Sequence, residues 1–168
     1  MKLNHFFKLV IILMLAFSHF IYSQKNKKEI SRSIDKRTKE YENIAKSIWD
    51  FAEVGYQEEK SSNLLKETLS KEGFSISSGV AEIPTAFIAE YGTGKPVIGI
   101  LAEFDALPGI SQEVSSERKP ILDKGAGHAC GHHLFGTAST AAAIGVKDYL
   151  KSTGKKGTVR LYGTPAEE

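Results

Sequence analysis

Three histidines and the only cysteine of the chain stand close together in GHACGHH, residues 127–133. Cys130 and His132 are separated by one glycine, so in extended backbone both side chains leave the chain on the same side. The glycine also lets the chain bend around a bound ion. A thiolate and a neutral imidazole are the forms that bind metals, and the amino terminus of a following helix favours both. The pattern fits a metal site, and it also fits a glycine turn with a buried thiol and two surface imidazoles.

Two other motifs carry carboxylates at the ends of predicted strands. PAEE ends in Glu167 and Glu168, whose side chains point to opposite faces on a strand, which favours one metal ligand and one proton-transferring group. In AEFDALPG, Asp105 follows a very apolar strand, where it either caps a turn or accepts a hydrogen bond from the N–H of a ligand. Glu103 shares a face with Asp105 by the two-residue period of a strand. A solvated acidic turn or an edge contact would explain the same residues.

Periodic hydrophobic patterns predict the elements that position these residues. A first helix is expected over residues 29–54, ended by Gly55. A second helix follows it, with Ser61 or Ser62 as the predicted cap at its start and Gly73 as the predicted cap at its end. The helical segments are residues 29–54, KSSNLLKETLSKEGF and LFGTASTAAAIGVKDYLKST.

The strand-like segments are FSISS, TAFIAEYG, PVIGILAEF and GTVRLYG. The turn GTGKP predicts a hairpin between the second and third of them, and GILAEF is apolar enough for an interior strand. Residues 105–127 show no periodicity and predict a long loop. This order of elements predicts an α/β layer architecture.

The first 23 residues have the pattern of a secretory signal peptide. Lys2 and Lys8 flank the start of the apolar run LVIILMLAFSHFIY, and Ser23 precedes polar sequence. Cleavage after Ser23 is expected, which leaves residues 24–168 as the exported chain, in the periplasm or the medium, with no stable membrane span. An uncleaved anchor is the alternative, although a spanning helix needs ~20 apolar residues.

Charge and cysteine content restrict the partners of this mature chain. Without residues 1–23 it has 20 basic and 20 acidic residues, and no basic face that would suggest nucleic acid. A single cysteine cannot form an internal disulfide. In an exported protein it must be oxidised, pair with another chain, be buried or bind a metal.

The motifs LAEFDALPG, GHACGHH and GTPAEE, in this order and at these separations, resemble the M20 family of metallopeptidases and amidohydrolases. The similarity is greatest to its amidohydrolase branch, which includes N-acyl-amino-acid and aminobenzoyl-glutamate hydrolases, and IWDFAEVGYQEEKSS and GVAEIPTAFIAEYGTGKP add to it. It extends from about Tyr41 to Glu168. The resemblance implies a zinc-peptidase-like three-layer α/β catalytic domain, of which this chain would be an N-terminal part that stops before the lid domain through which longer members dimerise.

The resemblance also implies roles for particular residues. Cys130, His132 and Glu168 would be metal ligands. Glu167 would be the general base, and Asp105 would orient a ligand histidine. The implied reaction is hydrolysis of an amide between an acyl or aryl-acyl group and an amino acid, a small or peptide-like substrate. It would need two divalent cations, of which zinc fits the thiolate and imidazole and manganese or cobalt are alternatives.

Three residues in these motifs receive no role. Glu103 stands where related peptidases have a metal-binding histidine and the amidohydrolase branch has aspartate. His133 replaces an aspartate or asparagine, and His128 is expected to lie behind the ligands rather than to bind metal.

Family members have further ligand histidines, so we expect the 168-residue chain to be inactive alone and to expose an unpaired edge of its sheet. Two alternatives stay open. The chain could be a non-catalytic exported remnant or binding protein that retains no metal. Alternatively, Cys130 could be a nucleophile with His132 or His128 as its base. The acyl group and the amino acid of the substrate are not encoded in these motifs.

Overall fold

The computed structural model describes residues 5–123 and 125–168. Its helices are α1 (His5–Asp35), α2 (Thr38–Phe51), α3 (Glu59–Lys71) and α4 (His132–Thr153), and Val80–Glu82 form one 3-10 turn. Its strands are β1 (Ser75–Ser78), β2 (Phe87–Thr93), β3 (Val97–Ala102) and β4 (Gly157–Gly163).

The predicted signal peptide overlaps α1, except for residues 1–4, which lie outside the described residues. Within the part of the chain that the structure describes, no helix has both the length and the apolarity required to cross a bilayer. The signal peptide and its cleavage after Ser23 stay predictions.

The sheet has the order β1-β2-β4-β3. Strand β2 is antiparallel to β1 and to β4, whereas β3 and β4 are parallel. The predicted hairpin between β2 and β3 is therefore wrong, because β4 lies between them. A parallel pair needs a long crossover, and α4 provides it between β3 and β4.

Strand β3 lies at one edge of the sheet among the described residues. The side chains of Val97, Ile98 and Leu101 are 46%, 50% and 55% exposed. The prediction of an interior strand is wrong for this chain, and the predicted exposed edge is confirmed.

The core lies on one face of the sheet, under α3 and α4. Strand partners share a face, so the pairs Phe87–Gly163 and Ala89–Leu161 point to the same side, where Phe87, Ala89 and Leu161 are fully buried. The opposite face carries Glu90 and Arg160, which lie directly across from each other and form a hydrogen bond. The α/β class is confirmed. The described residues supply the sheet and one helical layer of the implied three-layer domain.

The helix boundaries differ from the prediction where distant residues act on them. The helix expected over residues 29–54 is interrupted after Asp35, and it ends at Ala52 in a left-handed conformation rather than at Gly55.

Helix α3 begins at Glu59, and Ser61 lies inside it. The carboxylate of Glu53 accepts the backbone N–H of Lys60 at 3.0 Å and that of Ser61 at 2.9 Å. Ser62, the other proposed cap, likewise lies inside α3 and is buried. A glutamate outside the helix supplies this cap, which local sequence patterns do not reveal. Gly73 follows α3 with φ +89, as predicted.

Helix α1 is joined to α4 through a cluster of charged and polar side chains. A Cβ atom on Gly145 of α4 would lie 3.2 Å from Ile30, so the two helices approach closely there. Beside it, Asp148 accepts hydrogen bonds from Ser33, Arg37 and Lys147, the last two at 3.0 and 2.8 Å. Burial raises the pKa of Asp148, but the hydrogen bonds from Lys147 and Ser33 outweigh burial, so this pKa lies below its ordinary value of 3.8.

We expect Asp148→Asn to lower the free energy of unfolding by about 1 kcal/mol at pH 7, since Asp148 is partly exposed and solvent weakens its ion pairs. Because the folded-state pKa is lowered, this contribution is fully present above the unfolded-state value and is lost as the pH falls through the lower folded-state value. Urea unfolding at several pH values should show the difference from the wild type shrinking below about pH 4. The matched control is Asp50→Asn, because Asp50 is exposed. An equal difference at every pH would contradict the assignment.

Candidate metal centre

The topology brings the predicted site residues to one end of the sheet. Strands β3 and β4 are parallel, so the residues that follow them leave from the same edge, where ligands bind in α/β sheets. Helix α4 begins at this edge with His132. Its first turns approach β3 closely, since a Cβ atom on Gly136 would lie 2.6 Å from the carbonyl oxygen of Glu103.

A buried aromatic ring fixes the two acidic residues that follow β3. Phe104 lies between Glu103 and Asp105, is fully buried and stacks on Phe87 with ring centroids 6.2 Å apart. Both carboxylates contact His132: Glu103 Oε2 lies 3.1 Å from Nε2, and Asp105 Oδ1 lies 2.9 Å from Nδ1. The two-residue period correctly indicated that Glu103 and Asp105 share a side.

Five donor side chains form two overlapping clusters around His132. The ligand atoms of Cys130, His132 and Glu168 lie within 4.8 Å of one another, and so do those of Glu103, His132 and Glu167. We call these the first and second donor clusters. The structure thus brings together all the residues that the sequence predicted as metal ligands, and it adds Glu103, which the prediction left without a role.

Asp105 connects two parts of the site through its two oxygen atoms. It is almost completely buried. A carboxylate accepts hydrogen bonds, so the Nδ1–H of His132 donates to Oδ1 at 2.9 Å, and Nε2 is left facing the donor clusters. Oδ2 accepts the backbone N–H of Glu168 at 3.0 Å. Nothing in the local sequence indicated this second hydrogen bond.

Glu167 and Glu168 both approach His132, contrary to the expectation that they point to opposite faces. Glu167 Oε2 and Glu168 Oε1 each lie 3.8 Å from Nε2 of His132. The prediction assumed a continuing strand, whereas β4 ends at Gly163 and Ala166 has a left-handed φ of 57°. The two side chains still differ, since that of Glu167 is 56% exposed and that of Glu168 is 17% exposed.

Cys130 and His132 converge through a turn rather than through extended backbone. Gly131 has φ +91, a left-handed conformation that glycine adopts without strain, and α4 starts directly after it. The extended geometry assumed from the sequence is wrong, and the predicted bend at the glycine is confirmed. The simple-turn interpretation also fails, because Cys130 is exposed whereas His128 and His132 are buried.

The Cys130 thiol is paired with a carboxylate and not with a histidine. Its hydrogen bond to Glu168 raises the pKa of Cys130 above the ordinary value, which favours the thiol over the thiolate in the metal-free chain. His132 is held by Asp105, and His128 donates from Nε2 to the backbone oxygen of Ile48 at 3.0 Å. These hydrogen bonds do not favour the nucleophile alternative, which needs a histidine as the partner of the thiol.

His128 and His133 lie beside the ligands without belonging to either donor cluster of the described residues. Their ring centroids are 5.1 Å apart. Burial lowers the pKa of both imidazoles, which favours their neutral forms. The role of His128 stays a prediction.

The donor set fits divalent cations. A thiol, an imidazole whose Nε2 faces the carboxylates and a carboxylate in the first cluster are ligand types of zinc. The second cluster has two carboxylates and the same imidazole, a set that zinc, manganese and cobalt all accept. The hydrogen bond from His132 to Asp105 is the type of support that orients metal-binding histidines.

Comparison with known proteins gives both sequence and structural matches. A p-aminobenzoyl-glutamate hydrolase polypeptide of Escherichia coli K12 is 45% identical over 140 residues, which cover 83% of this chain and 29% of that protein. An IAA-amino acid hydrolase of Arabidopsis thaliana is 38% identical over 126 residues, which cover 74% of this chain and 28% of that protein. A dinuclear metal-binding peptidase of the M20 family from Bacillus subtilis has a crystal structure that matches with a TM-score of 0.61 at 30% identity, covering 81% and 36%.

No family model matches the chain. The chain spans about a third of the length of each of these three proteins. The sequence identity, the shared fold and the donor clusters agree with one another. Over the residues that these proteins match, the chain belongs to the M20 family of metallopeptidases and amidohydrolases.

Proposed function

We propose that this chain is the metal-binding segment of an amidohydrolase that cleaves the amide between an acyl or aryl-acyl group and an amino acid. The observation that carries the proposal is the shared position of His132 in two donor clusters, with its Nδ1 held by Asp105. The names of the Escherichia coli and Arabidopsis thaliana relatives support this substrate class, since both describe hydrolases of amino-acid conjugates.

In this proposal Asp105, Glu167 and Glu168 have distinct tasks. A bound divalent cation supplies Lewis acidity, which polarises a carbonyl oxygen and makes water acidic enough to react near neutral pH. Cys130, His132 and Glu168 would hold zinc. Glu167, the more exposed of the two glutamates, takes a proton from the attacking water and passes it to the leaving amine. Asp105 keeps the proton on Nδ1 of His132 and so directs Nε2 to the metal.

We also propose that the 168-residue chain binds metal but does not turn over substrate by itself. Two cations with about four ligands each need roughly eight contacts. The two donor clusters offer five side chains. Export after removal of residues 1–23 is part of the same proposal, and the amino-terminal sequence of the exported form tests it.

The test combines metal binding with a chimera. The isolated chain should bind Zn²⁺ and leave p-aminobenzoyl-glutamate intact. A chimera in which the matching 140 residues of this chain replace the corresponding 29% of the Escherichia coli polypeptide should hydrolyse that compound, lose activity on chelation and regain it with Zn²⁺. The unmodified Escherichia coli polypeptide is the matched control. A chain that retains no zinc after dialysis would instead favour a non-catalytic protein, and hydrolysis by the isolated chain would refute its inactivity.

A further inference from the structure

A buried glutamate far from the donor clusters in sequence is bonded to the segment that carries Glu167 and Glu168. Glu58 precedes α3 and is 0% exposed. Its Oε1 accepts the backbone N–H of Ala166 at 2.8 Å, and its Oε2 accepts the hydroxyl of Thr85 at 3.0 Å. A buried carboxylate is costly unless it is hydrogen-bonded, and these two bonds use both of its oxygen atoms.

The backbone that Glu58 contacts has an unfavourable conformation. Ala166 has φ 57, in the left-handed region, which costs an ordinary residue roughly 1–2 kcal/mol. This conformation turns the chain after β4, directly before Glu167. Such a conformation persists only where the surroundings hold it, and the hydrogen bond from Ala166 to Glu58 is one such restraint.

The segment before α3 also packs against Ala166. A Cβ atom on Gly55 would lie 3.0 Å from Cβ of Ala166 and 3.1 Å from its Cα, so a larger residue at position 55 would push against the Ala166 turn. On the other side of the turn, the N–H of Glu168 donates to Asp105. Two buried carboxylates, Glu58 and Asp105, thus hold the backbone on either side of Glu167.

We infer that Glu58 is a positioning residue for the donor clusters. By accepting the N–H of Ala166, it holds the left-handed turn that brings Glu167 and Glu168 to His132. Glu58 itself belongs to neither donor cluster among the described residues. The inference rests on the proposed function, since that proposal gives Glu167 and Glu168 their roles.

The test uses the full 168-residue chain and compares Glu58→Met with Glu58→Gln. Methionine has a similar volume but cannot accept the N–H of Ala166, whereas glutamine keeps an acceptor oxygen. In the metal-free chain, Glu58→Met should speed amide hydrogen exchange at Ala166, and it should weaken Zn²⁺ affinity roughly tenfold or more. Glu58→Gln should stay close to the wild type in both measurements.

A double variant separates positioning from general destabilisation. If Glu58 acts through the turn, Glu58→Met should cause no further loss of Zn²⁺ affinity in a Glu168→Ala background. An equal loss in both backgrounds would overturn the inference. So would wild-type zinc affinity and wild-type exchange at Ala166 in the Glu58→Met chain.

Two further outcomes remain decisive. If the wild-type chain binds no zinc, the proposed function fails, while hydrogen exchange at Ala166 still decides whether Glu58 restrains the turn. If Glu58→Met does not fold, Gly55→Ala perturbs the same turn from its other side. It should weaken Zn²⁺ affinity by a comparable factor, and unchanged affinity and exchange in this variant would overturn the inference.

Discussion

His132→Ala is expected to abolish measurable divalent-cation binding by the chain, with a loss of Zn²⁺ affinity of at least about 100-fold. His132 is the one side chain that both donor clusters share. Its removal leaves the first cluster with one thiol and one carboxylate, and the second with two carboxylates. Neither remainder supplies the three protein ligands that zinc sites ordinarily use.

Competition with a chromophoric chelator measures this affinity directly. Cobalt provides an independent signal, because coordination by the thiolate of Cys130 gives an absorption band that His132→Ala should eliminate. The control is His133→Asn, which removes the adjacent imidazole but leaves both donor clusters intact, and it should keep its zinc affinity within a factor of about three of the wild type. Tight zinc binding by His132→Ala would refute the candidate metal centre.

Glu167→Gln should lower kcat of the chimera by roughly 10²–10⁴-fold while its zinc affinity stays near that of the parent chimera. Glutamine keeps the shape and one oxygen of the side chain, but it cannot take up a proton. The exposed position of Glu167 suits a group that exchanges protons with substrate and water. Glu168, in contrast, is held in place by hydrogen bonds, one between its side chain and the thiol of Cys130 and one from its backbone N–H to Asp105.

The same kinetic experiment distinguishes the two glutamates. Glu168→Gln should reduce zinc affinity and activity together, because Glu168 is assigned as a ligand. Glu67→Gln, at an exposed position of α3, should leave both unchanged. If Glu167→Gln lost zinc and activity in parallel, Glu167 would be a ligand and not the general base.

Local patterns predicted the elements closest to the site well. Strand β4 covers the predicted residues, and α4 starts only two residues before the predicted position. Both elements have strong local signals: the alternating character of the residues in GTVRLYG, and an alanine-rich helix preceded by glycine. The prediction of a long irregular segment over residues 105–127 was also correct. An isolated β-bridge between Leu107 and Gly127 brings its two ends together.

The failed predictions concern interactions between residues far apart in the sequence. The GTGKP turn resembles a hairpin connection locally, but the insertion of β4 between β2 and β3 depends on pairing with residues 157–163. Glu53 caps α3 from outside the helix, and Glu58 binds Ala166 across 108 residues. Neither interaction has a local sequence signal.

The site itself was predicted through the resemblance more than through spacing. Cys130 and His132 taken alone favoured a simple turn, and the extended geometry assumed for them was wrong. Glu103 was recognisable as a residue on the same side as Asp105 and at a position where related peptidases have a metal-binding histidine, but neither sign gave it a role. Its contact with His132 depends on how the ring of Phe104 packs, which requires the three-dimensional structure.

Asp105 accepts one hydrogen bond from an imidazole and another from the backbone of Glu168. One buried anion thereby makes the orientation of His132 and the ordering of the carboxyl-terminal residues parts of a single equilibrium. Part of the free energy gained when an ion is captured must then be spent on immobilising that peptide segment. Substitutions that stiffen the segment should consequently tighten ion capture without touching any ligand atom.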